Sequence, residues 1–167
     1  LLVFVDSTQG WLTTQQSVTA SPSGTENFIC ASGGTPSQSG CFEIRTFTGP
    51  GTFTVNSLAT NSPNNVIDYA IVGGGGGGGT GTSAGAGGGG AGGLRQFTSQ
   101  PVSVQAYPVV VGGGGPGRGP GATPQGPGTD GSVSTFISNS SAGGGGGGSQ
   151  NPGTTTGGRT GYDGGSG

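Results

Sequence analysis

The sequence contains no histidine, no lysine and no methionine, and it has only two cysteines and one tryptophan. Without histidine, the commonest general base and metal ligand is missing. Two cysteines fall short of the four ligands of a structural zinc site. A phosphate-binding loop needs a lysine after its glycines, so stretches that match a glycine-loop pattern here do so trivially. Arg45, Arg95, Arg118 and Arg159 are the only basic side chains, too few for a nucleic-acid surface. The acidic residues Asp6, Glu26, Glu43, Asp68, Asp130 and Asp163 are scattered and form no evident acid–base pair. No enzymatic activity, cofactor, metal or nucleic-acid partner is therefore expected. No apolar stretch is long enough to span a bilayer, and no signal peptide is visible, so membrane insertion is not expected either.

Glycine fills the space left by these absences. It accounts for 45 of 167 residues, with 11 prolines, 27% hydrophobic and 6% charged residues, and a net charge of −2. Glycine and proline at this level without a strict three-residue period exclude collagen and ordinarily signal low complexity. The near-zero charge, however, removes the self-repulsion that extends many disordered chains. Four runs stand out, at residues 73–79, 87–93 (broken once by Ala91), 112–115 and 143–148. A flexible linker is one reading of such runs. The other is a polyglycine-II helix of the polyproline type, with three residues per turn and no internal hydrogen bonds, whose backbone groups pair with neighbouring helices. The intervening segments favour the second reading. Residues 102–111 (VSVQAYPVVV) and 132–137 (SVSTFI) are β-branched, aromatic and partly alternating, as strands are. Disordered spacers need no strands to end on.

In chain order, residues 1–22 read as a β-hairpin. Leu1-Leu2-Val3-Phe4-Val5 and Trp11-Leu12-Thr13-Thr14 flank turn residues 6–10, and such a hairpin needs a partner to be stable. Residues 23–72 read as an antiparallel β module of four or five strands. Asn27–Cys30 and Cys41–Phe47 flank a turn-rich stretch at 33–40. Phe42, Ile44 and Thr46 share one face, and Glu43, Arg45 and Phe47 the other. After the tight turn Gly49-Pro50-Gly51, Thr52–Val55 pairs back. Val66–Val72 is the strongest strand and runs straight into the first glycine run. The bracketing of the 33–40 stretch by Cys30 and Cys41 leaves two states open, a cross-strand disulfide or a pair of reduced, buried thiols. Residues 73–167 form the glycine-rich module. The fold class expected is thus mainly β: a small antiparallel β module followed by packed polyglycine-II (PPII-type) helices, with essentially no α-helix. The chain starts directly in a strand and stops within Gly-Gly-Ser-Gly, which predicts a piece of a longer polypeptide.

The succession EIRTFTGPGTFTV (43–55), DYAIVG (68–73), PVSVQAYPVVVG (101–112) and SAG (141–143) resembles the glycine-rich domain of bacteriophage tail fibres and related virion proteins. DSTQGW (6–11) is similar to the β-structured segment that precedes such domains in marine phages. The resemblance extends over nearly the whole chain. It implies a tail-fibre or fibre-tip protein of the virion, extracellular, like the polyglycine-rich adhesins of T-even-type phages, which are sandwiches of polyglycine helices carrying receptor-binding loops. It also implies that the 1–22 hairpin ends a fibre shaft, and a homotrimer about the fibre axis through the N-terminal β part. A purely structural fibre component and an ice-binding protein are the alternatives.

If each run crosses the module once, the chain's direction sorts its loops. Residues 80–86, 116–127 and 149–156 fall at the end far from the β module. The candidate contacts to a bacterial surface receptor, a glycan or an outer-membrane protein, are the polar residues of these loops. They are Thr80, Thr82 and Ser83 in the first, Arg118, Thr123 and Gln125 in the second, and Gln150, Asn151, Thr154 and Thr155 in the third. Tyr162 is the nearest aromatic anchor.

Overall fold

A computed structural model describes residues 2–4, 11–13, 27–81, 85–119, 126–149 and 161–164. The protein is mainly β with antiparallel sheets, and among the described residues the one helical element is a 3-10 turn at Ser62–Asn64. At the N-terminus, β1 (Leu2–Phe4) pairs with β2 (Trp11–Thr13), Phe4 opposite Trp11, which is the hairpin expected there. Further along come β3 (Cys30–Ser32), β4 (Thr35–Ser39), β5 (Phe42–Thr46), β6 (Gly51–Ser57) and β7 (Val66–Val72). The glycine-rich part contributes β8 (Leu94–Pro101), β9 (Ala106–Val110), β10 (Ser134–Phe136) and β11 (Asn139–Ser141). β11, β10, β9, β6 and β3 form one sheet in that order, so it draws strands from both sides of the composition change at Val72. β7 and β8 pair with each other, as do β4 and β5.

The core lies where alternation places apolar side chains on the inner face of this sheet. Phe53 and Val55 of β6 meet Tyr107 of β9 and Val102, with Ile67, Val109, Phe136 and Ile137 packed around them. Phe136 is the aromatic hub. Its ring lies edge-on to Tyr69 at 4.9 Å and to Phe53 at 5.8 Å, and Tyr69 in turn stacks on Phe97 at 4.9 Å. These contacts join the β7–β8 pair to the five-stranded sheet.

Two expectations for the β module are corrected. The 33–40 stretch is not a turn. The chain turns at Gly33 and Gly34, both at positive φ, and residues 35–39 then form β4 against β5, with the hairpin closing at Gly40 and Cys41. Gly33 is required there because a Cβ would overlap the Thr52 carbonyl oxygen. β6 does not pair back on β5; it lies between β9 and β3. The inner face of β6 is apolar and finds Tyr107, whereas β5 turns Arg45 inward, where it pairs with Glu43 and donates to the Ala31 carbonyl at 2.8 Å. Phe42 and Ile44 share a face as expected, and that face is exposed, 77% and 44% respectively. Both cysteines are free thiols. Of the two states left open, this is the reduced one, but the thiols are exposed and not buried, because Cys30 sits on the edge strand β3 and Cys41 at the tip of the β4–β5 hairpin.

The glycine segments carry neither strand nor α-helix, yet they hydrogen-bond to one another at every third residue. Along residues 73–80, the N–H groups of Gly73, Gly76 and Gly79 donate to the carbonyls of Gly93, Gly90 and Gly87 at 2.8–2.9 Å. Those of Gly74, Gly77 and Thr80 donate to Ser132, Thr129 and Gly126 at 2.8–3.2 Å. The carbonyls of Gly75 and Gly78 accept from Gly115 and Arg118 at 2.8 and 3.0 Å, and those of Gly74 and Gly77 accept from Gly144 and Gly147 at 2.7 and 2.8 Å. The 73–80 segment is therefore ringed by four others: 87–93 and 126–132 run antiparallel to it, 112–118 and 142–149 parallel. A short piece at 161–164 adds to the outside of 142–149 through the Tyr162 N–H and the Gly146 carbonyl.

Candidate functional site

The direction of each segment follows from its hydrogen-bond register, and the directions alternate along the chain. β7 leads into 73–80, which runs outward; 87–93 returns to β8; β9 leads 112–118 outward; 126–132 returns to β10; β11 leads 142–149 outward. The segment at 126–132 is one that glycine content alone does not reveal. Its residues Thr129 and Asp130 are not glycine, and only Gly128 and Gly131, three apart, sit where a Cβ would overlap the carbonyls of Gly77 and Gly74. A glycine at every third position was the signal available in the sequence. Likewise 112–118 extends past the run at 112–115, because the Pro116 carbonyl still accepts from the Thr129 N–H at 3.1 Å.

The outward segments all end together. The Thr80 N–H donates to the Gly126 carbonyl at 3.2 Å, and its hydroxyl donates to the Gly119 carbonyl at 3.1 Å. Gly79 donates to Gly87, and Gly87 in turn to Gly148, both at 2.9 Å. The residues at which the loops leave and re-enter the bundle are thus tied to one another at one end.

The candidate residues divide accordingly. Thr80 is only 3% exposed, and its hydroxyl is committed to Gly119, so it fastens two loop bases together and does not offer itself to a ligand. Arg118 is exposed, anchored by its N–H to the Gly78 carbonyl, with its guanidinium beside Gly126, and so shares the end with Thr80. Tyr162 is 55% exposed and lies along the flank of 142–149, its N–H on the Gly146 carbonyl and its neighbour Gly161 close to Gly148. Thr82, Ser83, Thr123, Gln125, Gln150, Asn151, Thr154 and Thr155 lie outside the described residues.

Elsewhere the acidic side chains serve the backbone. Asp130 accepts the Gly146 N–H at 2.8 Å, and Asp68 accepts the N–H of Ser99, a residue at positive φ, at 2.7 Å. In the core, burial pushes the Tyr107 phenol up, but hydrogen bonds from Ser103 and Gln105 outweigh it and leave the group below its ordinary value. Among the described residues, no three His, Cys, Asp or Glu side chains converge as metal ligands, and no helix is long and apolar enough to cross a membrane.

A glycine-rich domain family matches residues 46–167, well over half of the chain. No curated protein and no solved structure matches it.

Proposed function

Since the chain belongs to the glycine-rich domain family, we propose that its glycine segments are polyglycine-II helices and that it acts as a bacteriophage tail-fibre tip protein, attaching to the bacterial surface through the loops at the outer end of the bundle. The helix assignment is supported by the three-residue spacing of the inter-segment hydrogen bonds, which matches three residues per turn. The observation that carries the functional reading is the fastening of the loop bases around Thr80, Gly119, Gly126 and Gly148. A rigid backbone lattice that holds several polar loops on one edge is the arrangement recognition sites use. Within it, Arg118 and the polar residues Thr82, Ser83, Thr123, Gln125, Gln150, Asn151, Thr154 and Thr155 are the contacts to a glycan or outer-membrane protein. The virion sequence resemblance over residues 6–11 and 43–143 gives the reading its phage context.

Labelled protein applied to a panel of bacterial strains tests this. Binding to a subset of strains is expected, and it should be lost when the three loops are replaced by Gly/Ser of equal length. Unchanged binding by the replaced protein would overturn the loop assignment. Failure of the parent protein to bind any strain would favour a purely structural fibre component. The same reading places a homotrimer contact in the N-terminal β part, where β1–β2 and the apolar outer face of β5 are found. Light scattering that returned a monomer for the protein in solution would refute that contact.

A further inference from the structure

At the opposite end of the molecule, where β9 begins and the β10–β11 turn closes, a groove of about 510 Å³ opens beside the core. Its place follows from the topology. β9 enters the glycine bundle at its C-terminal end, so Gln105 and Tyr107, at or near its start, and the turn that follows Phe136 lie away from the bundle and from the loops at its outer end.

The turn that walls this groove is strained. Ile137 and Ser138 join β10 to β11 in a two-residue connection with φ of 44° and 60°. Both central residues of such a turn must take positive φ, which Asn-Gly does readily and a β-branched residue does at a cost. Ile137 is held there by its packing against the core. Non-glycine residues kept at positive φ persist only where surrounding structure over-determines them, and they cluster at binding sites. The cavity is thus walled by a turn whose backbone is held at positive φ.

We propose that this groove binds a neutral saccharide of one or two rings. Its volume falls within the range of small-ligand sites. Its lining carries no carboxylate and no basic side chain, which disfavours a charged ligand. What it offers is an apolar surface from Pro108 and Phe136 beside the amides of Gln105 and Asn139 and the hydroxyl of Ser138. The apolar face of a sugar ring suits the first, and its hydroxyls suit the second. The Asn139 amide nitrogen already donates to the Tyr69 hydroxyl at 2.8 Å and to the Ile137 carbonyl at 3.3 Å, which orients the side chain and leaves its oxygen as an acceptor. The proposal is independent of the loops at the outer end and stands whether or not they bind a host.

The test is an amide NMR titration of the full chain with glucose, galactose, N-acetylglucosamine and their β-linked disaccharides at millimolar concentration, with sodium glutamate as a charged control. Saturable shifts confined to residues 105–108 and 135–140 are expected for at least one sugar and none for glutamate. Gln105→Ala should weaken that binding about five-fold or more, the loss of one hydrogen bond. Ser138→Gly should weaken it comparably while leaving the melting temperature unchanged or raised, since glycine takes positive φ without strain. The absence of saturable shifts with every sugar, shifts confined to the loop end, or full-strength binding by both variants would overturn the proposal.

Discussion

Gly75 and Gly76 are neighbours in a run of identical residues, yet their surroundings differ. A Cβ on Gly76 would overlap the Gly145 carbonyl oxygen, while a Cβ on Gly75 would stand 3.7 Å from the Gly90 carbonyl oxygen, an ordinary contact. The three-residue repeat makes the difference systematic: Gly73 and Gly79 share the constraint of Gly76, and Gly78 shares the freedom of Gly75. Gly76→Ala should therefore destabilise the protein by about 1–3 kcal/mol or more, because the obstruction is backbone that cannot rotate away. Gly75→Ala should stay within about 1 kcal/mol of the parent and can gain stability, since alanine reduces the freedom of the unfolded chain. Thermal denaturation of the two variants decides it. Equal melting temperatures would show that the segments do not pack in this register.

At the scale of elements, alternation and composition made much of the fold legible and missed the parts that depend on distant partners. β7 and β9 announce themselves through Val66-Ile67-Asp68-Tyr69-Ala70-Ile71-Val72 and Ala106-Tyr107-Pro108-Val109-Val110. β4 does not, because Thr35-Pro36-Ser37-Gln38-Ser39 has the composition of a turn and is a strand only by virtue of its pairing with β5. The partner of β6 is equally hidden, since Tyr107 lies far along the chain from Phe53 and local pattern says nothing of it. The clustering of the loop bases could be read from run order alone, but the buried, structural part played by Thr80 could not, because it rests on the Gly119 carbonyl. The 126–132 segment was concealed by its own non-glycine residues, and one of them anchors it. The Asp130 carboxylate accepts the Gly146 N–H, satisfying a backbone donor of a buried residue. Asp130→Ala should cost about 1–3 kcal/mol by leaving that donor unpaired. Asp130→Asn retains an acceptor oxygen and should recover most of the loss. If both variants melt with the parent, the side chain contributes nothing to the seating of this segment.

For the molecule as a whole, the shift in composition at Val72 suggests a β module followed by a glycine module, but the strand order interleaves them. β6 is flanked by β3 on one side and by β9 on the other, and the core residues Phe53 and Val55 pack against Val102 and Tyr107, which lie beyond the first two glycine runs. β7 likewise has its partner in β8, which the chain reaches only after going out along 73–80 and back along 87–93. Each outward and returning segment thus closes a long loop whose ends are strands in register. A chain ended at Val72 would keep the β4–β5 hairpin and the β3–β6 pairing, but lose every residue that covers Phe53 and Val55 from β9, β10 and the 102–105 stretch. Isolated pairs of strands are marginal in water. Residues 27–72 alone should therefore fail to fold, giving narrow amide dispersion in an NMR spectrum and no near-ultraviolet circular dichroism from the aromatic core. The chain from 27 onward should instead melt in a single transition, with aromatic and backbone signals coincident. A well-dispersed spectrum from the 27–72 fragment would show that the β part folds without the glycine bundle, and that the interleaving of strands follows folding and does not govern it.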